Sequence, residues 1–390
     1  MRTRRRSLAA ACALACVALA TVGCNRDSGD SVASGQAQPS TQAAHSAMLN
    51  VPMQGCTRSV ASVGRLVEVA SIAPPEYRDE VEPQDRDWLP VTLRDVAPLG
   101  GKLVVLDWGA KSLTVFGPDF RTRHTFGREG GGPGEFRNPA AVAVDDHTHQ
   151  ILVADPGNGR ISIFDSSGAV VDDVLTDAGS SLEDLAVGVD GLWLSHMVIP
   201  EFMQGPAQER LLSLQRQGEM ETTPVVTASA EPRDSERFPM PGPNDFQIVT
   251  TGGYQLLFSP VGGVIDVLRE GKKVGVVKAC IPSALAEGYK EQRARSARDP
   301  RQGSQVFHKM VSDVLVRRDT VYVVGPMPDQ AGRLHVDRFL LDGTDVGSLV
   351  APLYDGFMWP SDIRFWGDVV DLVGFRSEGI LVRLRLELAE

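Results

Sequence analysis

The chain has 390 residues, of which 42% are hydrophobic and 6% aromatic, with 39 glycines and 25 prolines. Short runs rich in Val, Leu and Ile, separated by these residues and showing few 3.6-residue periodicities, exclude a helical bundle and predict an all-β protein. The net charge of −11 repels phosphate backbones and argues against nucleic acid as a partner.

Residues 1–23 read as a secretory signal. Arg2, Arg4, Arg5 and Arg6 form its positive end, Leu8 to Val22 its apolar stretch, and Gly23 precedes Cys24. That stretch is short for a membrane span. Thr21-Val22-Gly23-Cys24 resembles the lipobox of bacterial lipoproteins, with Thr21 where Leu is usual, and the resemblance implies that Cys24 carries lipid and becomes the mature N-terminus. Loss of the four leader arginines, with all 50 acids kept, takes the charge from −11 to −15. Residues 24–50 hold Ser, Gln, Ala, Gly and Asp but few large apolar side chains, so they read as a flexible tether reaching about 25–30 Å. The folded domain is expected over 51–390. Beyond Cys12, Cys16 and Cys24, Cys56 and Cys280 remain; in an oxidising compartment they either pair or stay as two buried thiols.

The domain carries an internal repeat. Leu103 to Asp107 and Ser112 to Phe116 return 48 residues later as Ile151 to Asp155 and Arg160 to Phe164. Four weaker copies of the first of these strands end at His196, Pro260, Gly325 and Gly374, so six anchors are spaced 48, 41, 64, 65 and 49 residues apart. Each copy orders an inner strand, two further strands, a polar turn and an outer strand. A four-stranded unit cannot cover both of its faces alone, and stacking six around an axis buries them while removing sheet edges. The expected fold is a six-bladed β-propeller of four-stranded antiparallel blades. The last copy stops after its third strand, Ile380 to Leu388, and Arg65 to Ile72 has the β pattern to supply the fourth, closing the ring from the N-terminus.

Gly127-Arg128-Glu129-Gly130-Gly131-Gly132-Pro133-Gly134-Glu135-Phe136-Arg137-Asn138-Pro139, followed by Val142 to Asp145, Val153-Ala154-Asp155, Asn158, Arg160-Ile161 and Phe164-Asp165, resembles a complete NHL repeat. Its Gly-Gly-Pro-Gly-Glu-Phe loop is also similar to that of bacterial six-bladed propeller lipoproteins. The resemblance spans about one blade, residues 127 to 168. It implies the propeller fold and export, and it leaves activity open because propellers host unrelated functions. A phosphate cradle needs a strand before it and a helix after it, and here Pro139 opens another strand instead, so the glycine run reads as a tight interblade crossing.

Aligning Pro360 to Phe365 with Pro139 to Val144 sets Asp362 over Ala141, and Asp95, Asp184, Asp245 and Asp313 occupy the same place before other inner strands. Five carboxylates would then ring one mouth of the central channel. They could bind a cation such as Ca2+, or a cationic ligand, through hard oxygen donors; alternatively each fastens a neighbouring interblade loop by accepting backbone N–H groups. His147 and His149 fall in a turn on one face, whereas His196 and His335 follow second strands on the other, which disfavours a three-histidine zinc site like that of the amidating-lyase propellers. No Gly-x-Ser-x-Gly elbow occurs.

The long insertions, Met197 to Glu209, Ala228 to Asn244, Ser283 to Phe307, Pro326 to Val336 and Leu353 to Pro360, fall on one side of the predicted ring. They include Met197, Phe202, Met203, Phe238 and Trp359, side chains suited to a binding surface or to covering one another. The expectation is a monomeric, lipid-anchored envelope propeller on the periplasmic or outer-membrane side. It would bind a protein, peptide or glycan through this face, touch the membrane only by its anchor, and perform no chemistry. The competing expectation is a metal-dependent hydrolase or lyase resembling gluconolactonases, with the Asp-ringed mouth holding a Lewis-acid cation.

Overall fold

A computed structural model describes residues 53–54, 60–72, 92–176, 182–198, 209–216, 223–228, 247–251, 253–258, 263–282, 311–325, 333–352, 362–376 and 380–388. Every described regular element is a strand. Blade 1 comprises Leu93–Leu99, Lys102–Asp107, Ser112–Phe116 and Arg123–Phe126. Blade 2 comprises Ala141–Asp145, Gln150–Asp155, Arg160–Phe164 and Val170–Leu175. Blade 3 is built from Leu182–Gly188, Gly191–Val198, Glu209–Gln215 and Thr223–Ala228, and blade 4 from Gln247–Thr251, Tyr254–Phe258, Val264–Arg269 and Lys272–Lys278. Asp313–Arg317, Thr320–Val324, Arg333–Leu340 and Asp345–Pro352 make blade 5. Asp362–Asp368, Asp371–Arg376 and Ile380–Leu388 make three strands of blade 6.

Each blade is an antiparallel meander in chain order, and each inner strand lies against the inner strand of the next blade, the sixth returning to the first. Six sheets closed in a circle are a six-bladed β-propeller. Because each blade is packed on both faces, the second strands are continuous apolar runs rather than alternating ones. Leu103 to Leu106 and Ile151 to Ala154 are all buried for this reason. The core is correspondingly a series of interblade layers, such as Val104, Leu106, Val115, Phe136, Val142 and Ile151 between blades 1 and 2.

The fourth strand of blade 6 is Val60–Ile72, whose Gly64 to Ile72 pairs antiparallel with Leu388 to Leu381. The chain's N-terminal strand thus closes the ring, and it begins earlier than the apolar alternation predicts. Val60 to Val63 run parallel to Ser348 to Val350, so one strand joins the outer edges of blades 5 and 6. Upstream, Met53–Gln54 pairs antiparallel with Ile281–Pro282, the strand that follows Cys280. Cys280 is disulfide-bonded; Cys56 lies outside the described residues, as do the leader, Cys24 and the tether.

The seam between last and first blades has its own lock. Phe120, in the turn after blade 1's third strand, is buried, stacks on Trp366 of blade 6 at 5.8 Å and meets Phe116 edge-on at 5.7 Å. Its φ of 59° is a left-handed conformation that a bulky residue adopts at a cost, offset here by burial of the ring. The Arg383 guanidinium lies 4.4 Å above the Trp366 ring on the same seam.

Candidate functional site

The glycine-rich crossing between blades 1 and 2 is held from below by blade 2's own second-to-third turn. Asp155 accepts the N–H groups of Arg137 and Asn138 at 3.0 and 2.8 Å. The Asn158 amide donates to the carbonyls of Gly130 and Glu135, and Arg160 donates to the Glu135 carbonyl. Glu135 turns back to accept the Gly132 N–H at 2.8 Å and pairs with Arg128; these bonds hold its carboxyl below the usual range. Gly127 has a φ of 86°, and a Cβ there would stand 2.5 Å from the Phe136 ring. The crossing is a rigid fastening whose backbone is held by Asp155, Asn158 and Arg160 and by the turned-back carboxylate of Glu135.

At the mouth where inner strands begin, the aspartates do two things at once. Asp95 accepts the N–H of Val96 at 3.0 Å with one oxygen and that of Val142, in blade 2, at 3.0 Å with the other. Asp184 does the same for Leu185 and for Ile248 of blade 4, both at 2.9 Å. Asp313 accepts from Val314 at 2.9 Å and from Phe365 of blade 6 at 2.8 Å. Asp362 accepts from Ile363 at 3.0 Å. A carboxylate at this place satisfies the N–H of the next residue in its own strand and, for Asp95, Asp184 and Asp313, one from a neighbouring blade, tying the seam.

The blade 4 member differs from the alignment. Ile248 offers its N–H to Asp184 as Val142 does to Asp95, so Gln247, not Asp245, holds the aspartate position of that blade. The insertion preceding blade 4 displaced the alignment by two residues; Asp245 lies outside the described residues.

The centre of the ring is taken by Arg364. From the inner strand of blade 6, its guanidinium donates to Gln247 Oε1 and to the Ser312 carbonyl, each at 2.9 Å. It stands 3.5 Å from Asp95, 3.6 Å from Asp362 and 3.9 Å from Asp313. One side chain, 12% exposed, therefore links blades 4, 5, 6 and 1. Burial works against its charge, but Asp362, Asp95, Asp313 and Asp184 outweigh it and raise its pKa. Arg94 donates to the Ala140 carbonyl at 3.3 Å; burial lowers its pKa against the pull of Asp95, Glu183 and Asp184.

Two guanidiniums do not neutralise this many acids. Burial pushes the Asp184 carboxyl up to about 7, reinforced by the charge of Asp95, and pushes Asp313 up to about 6 against the opposing pull of Arg364. Asp95 is raised as well, by burial first, with Arg364 and its two backbone donors opposing. The ring gathers the described members of the predicted carboxylate set, and their oxygens already serve backbone donors and Arg364. Among the described residues, no three His, Cys, Asp or Glu side chains stand together as metal ligands.

Arg364 is the residue that the motif reading missed, although a signal existed. Two places after the aspartate position the other blades carry Ala97, Ala143, Ala186, Val249 and Leu315, and Arg364 alone is charged. His196 is buried with Nε2 2.7 Å from Ser213 Oγ inside blade 3, far in sequence from the His147 and His149 turn. Met197 lies in the described strand Gly191–Val198, whereas Phe202, Met203, Phe238 and Trp359 lie outside the described residues.

No family model matches the chain, and no curated protein matches it. Among solved structures it is similar to a streptogramin B lyase at 11% identity, over 83% of this chain and 97% of that one, with a TM-score of 0.45. A gluconolactonase of Xanthomonas campestris matches at 14% identity over 76% and 86% of the two chains, with a TM-score of 0.47. A chain of a nidogen/laminin complex matches at 9% identity over 67% and 86%, with a TM-score of 0.39. Enzymes and a binding assembly both occur among these neighbours, and at these scores the likeness gives no guide to activity. A β-propeller is established for this chain by its own blade topology.

Proposed function

We propose that the protein is an exported propeller of the NHL-repeat kind, anchored through lipid on Cys24, that binds an envelope protein, peptide or glycan through the face on which its inner strands begin. The observation that carries this reading is the placement of the strand ends. The strands bounding residues 199–208, 229–246, 283–310, 326–332 and 353–361 all end on that one face. On the opposite face the described turns are tight, as at Gly188–Gly191, Arg269–Lys272 and Arg317–Thr320. A rigid ring with its chain length concentrated on one side is the arrangement in which loops carry recognition.

The near-neutral carboxyls of Asp184 and Asp313 favour a second reading, hydrolase or lyase chemistry at the channel mouth, since such groups suit proton transfer. Against it, both oxygens of each carboxylate accept backbone N–H groups, leaving little for a substrate or metal.

Replacing residues 199–208 by a short glycine linker in the full-length protein tests the first reading. Loss of a stoichiometric envelope ligand, with the melting temperature kept, supports it. Lactone or ester turnover that vanishes in Asp184→Asn establishes the second instead. The anchor is tested separately by the mass of the mature N-terminus and by release from membranes on Cys24→Ser.

A further inference from the structure

The second-to-third turns of blades 1 and 2 correspond residue for residue at an offset of 48, Asp107-Trp108-Gly109-Ala110 against Asp155-Pro156-Gly157-Asn158. Both aspartates tie the turn to the segment before their blade's inner strand: Asp107 accepts the N–H of Thr92 at 2.9 Å, and that of Ala110 in its own turn at 3.0 Å, and Asp155 accepts those of Arg137 and Asn138. The next residue differs. Blade 2 buries Pro156, whereas blade 1 leaves Trp108 41% exposed. The turn needs no large aromatic at this place, and the exposed indole forgoes part of the burial that normally stabilises a tryptophan.

The ring is nevertheless held. Its Nε1–H donates to Asn138 Oδ1 at 2.8 Å, and Lys111 Nζ stands 3.8 Å from the ring centroid. A pinned aromatic loses little conformational entropy on binding. The cations beside it are also unusual in so acidic a chain. Arg128 pairs with Glu135 and Arg160 with Asp173, but among the described residues no carboxylate lies within ion-pair distance of Lys111 or of Arg137, the exposed neighbour of Asn138. An exposed flat aromatic beside two cations that no described carboxylate neutralises is complementary to a ligand that has an apolar ring face and a negative charge. A sugar ring bearing a carboxylate has both, with its C–H face against the indole face opposite Lys111 and its carboxylate toward the Arg137 guanidinium, the Lys111 charge adding at longer range.

We propose that Trp108, Lys111, Arg137 and Asn138 form a subsite for an acidic glycan on the face where the inner strands begin. This rests on the binding reading and names its ligand class.

Full-length protein titrated calorimetrically at low salt with a hexuronate trimer, the corresponding neutral hexose trimer and a glutamate tripeptide tests it. The hexuronate is expected to bind saturably and the other two not. Trp108→Ala should weaken hexuronate binding by about 30-fold, as for a buried aromatic anchor. Arg137→Gln should weaken it by about 10-fold, as for a charge-assisted contact. Trp108→Phe, with its melting temperature unchanged, should retain most of the affinity. Absence of saturable hexuronate binding, equal binding of the glutamate tripeptide, or an unchanged affinity in Trp108→Ala overturns the assignment. If these fail while capture of an envelope ligand still depends on residues 199–208, the broader binding reading stands without this subsite.

Discussion

Replacing Arg364 by Met probes the central ring most directly. The substitution keeps a long side chain but removes the donors to Gln247 Oε1 and the Ser312 carbonyl and the positive charge within 3.9 Å of Asp95, Asp313 and Asp362. Removing one partner of a buried ionic cluster costs about 3–5 kcal/mol, because the remaining charges stay desolvated. That is a large part of the about 5–15 kcal/mol that keeps a typical domain folded. The loss should depend on pH, with a sign that follows from the carboxyls. In the folded protein Asp313 titrates at about 6 and Asp184 at about 7, against 3.8 for an unperturbed aspartate, so the folded state binds more protons than the unfolded chain between those values. Their contribution to stability is full below about pH 4 and is lost as pH rises through 6 to 7. Arg364 lowers both carboxyls, so without it they rise further, and acidification relieves the strain by protonating them. Urea unfolding of the full-length variant is expected to show a loss of about 3–5 kcal/mol at pH 8 and less than half of it at pH 5. Arg364→Lys, which keeps the charge but not the planar fork, should fall between. A variant as stable as the wild type at pH 8, or a loss of the same size at both pH values, would refute the view that the ring is an under-neutralised carboxylate cluster held by one guanidinium.

The remaining expectations concern the scaffold. Phe120→Ala should destabilise by about 3–5 kcal/mol in chemical denaturation, the usual cost of deleting a buried aromatic, since Phe120 fills the seam against Trp366. Leu66→Asp, placing an unpaired charge in the closing strand among Leu334, Leu349 and Leu384, should open the ring, seen as early hydrogen exchange in Ile380–Leu388; protection equal to the wild type would disprove that this strand closes it. Gly127→Ala adds a Cβ that meets Phe136 at 2.5 Å in a left-handed backbone, so its urea midpoint should drop by an amount equivalent to at least about 1 kcal/mol.

Much of the fold was legible because propeller blades are written locally. The repeated apolar runs, Leu103 to Leu106 and Ile151 to Ala154, are continuous because both blade faces are buried, and the missing fourth strand of blade 6 pointed to the β-patterned segment before blade 1. The aspartates too were visible, since each stands at the start of an inner strand and accepts the N–H of the residue that follows it. What the tertiary structure alone decided is how those places meet on the axis. Gln247 and Arg364 lie 117 residues apart and Asp95 and Arg364 269 apart, and only the register of closed, stacked sheets sets their side chains together. A hydrogen bond between strands of different blades leaves no local periodicity, so the alignment could place Asp245 where Gln247 stands and pass over Arg364. Strand pattern is a property of neighbouring residues in the chain, whereas the charge balance at the mouth belongs to residues joined only by ring closure.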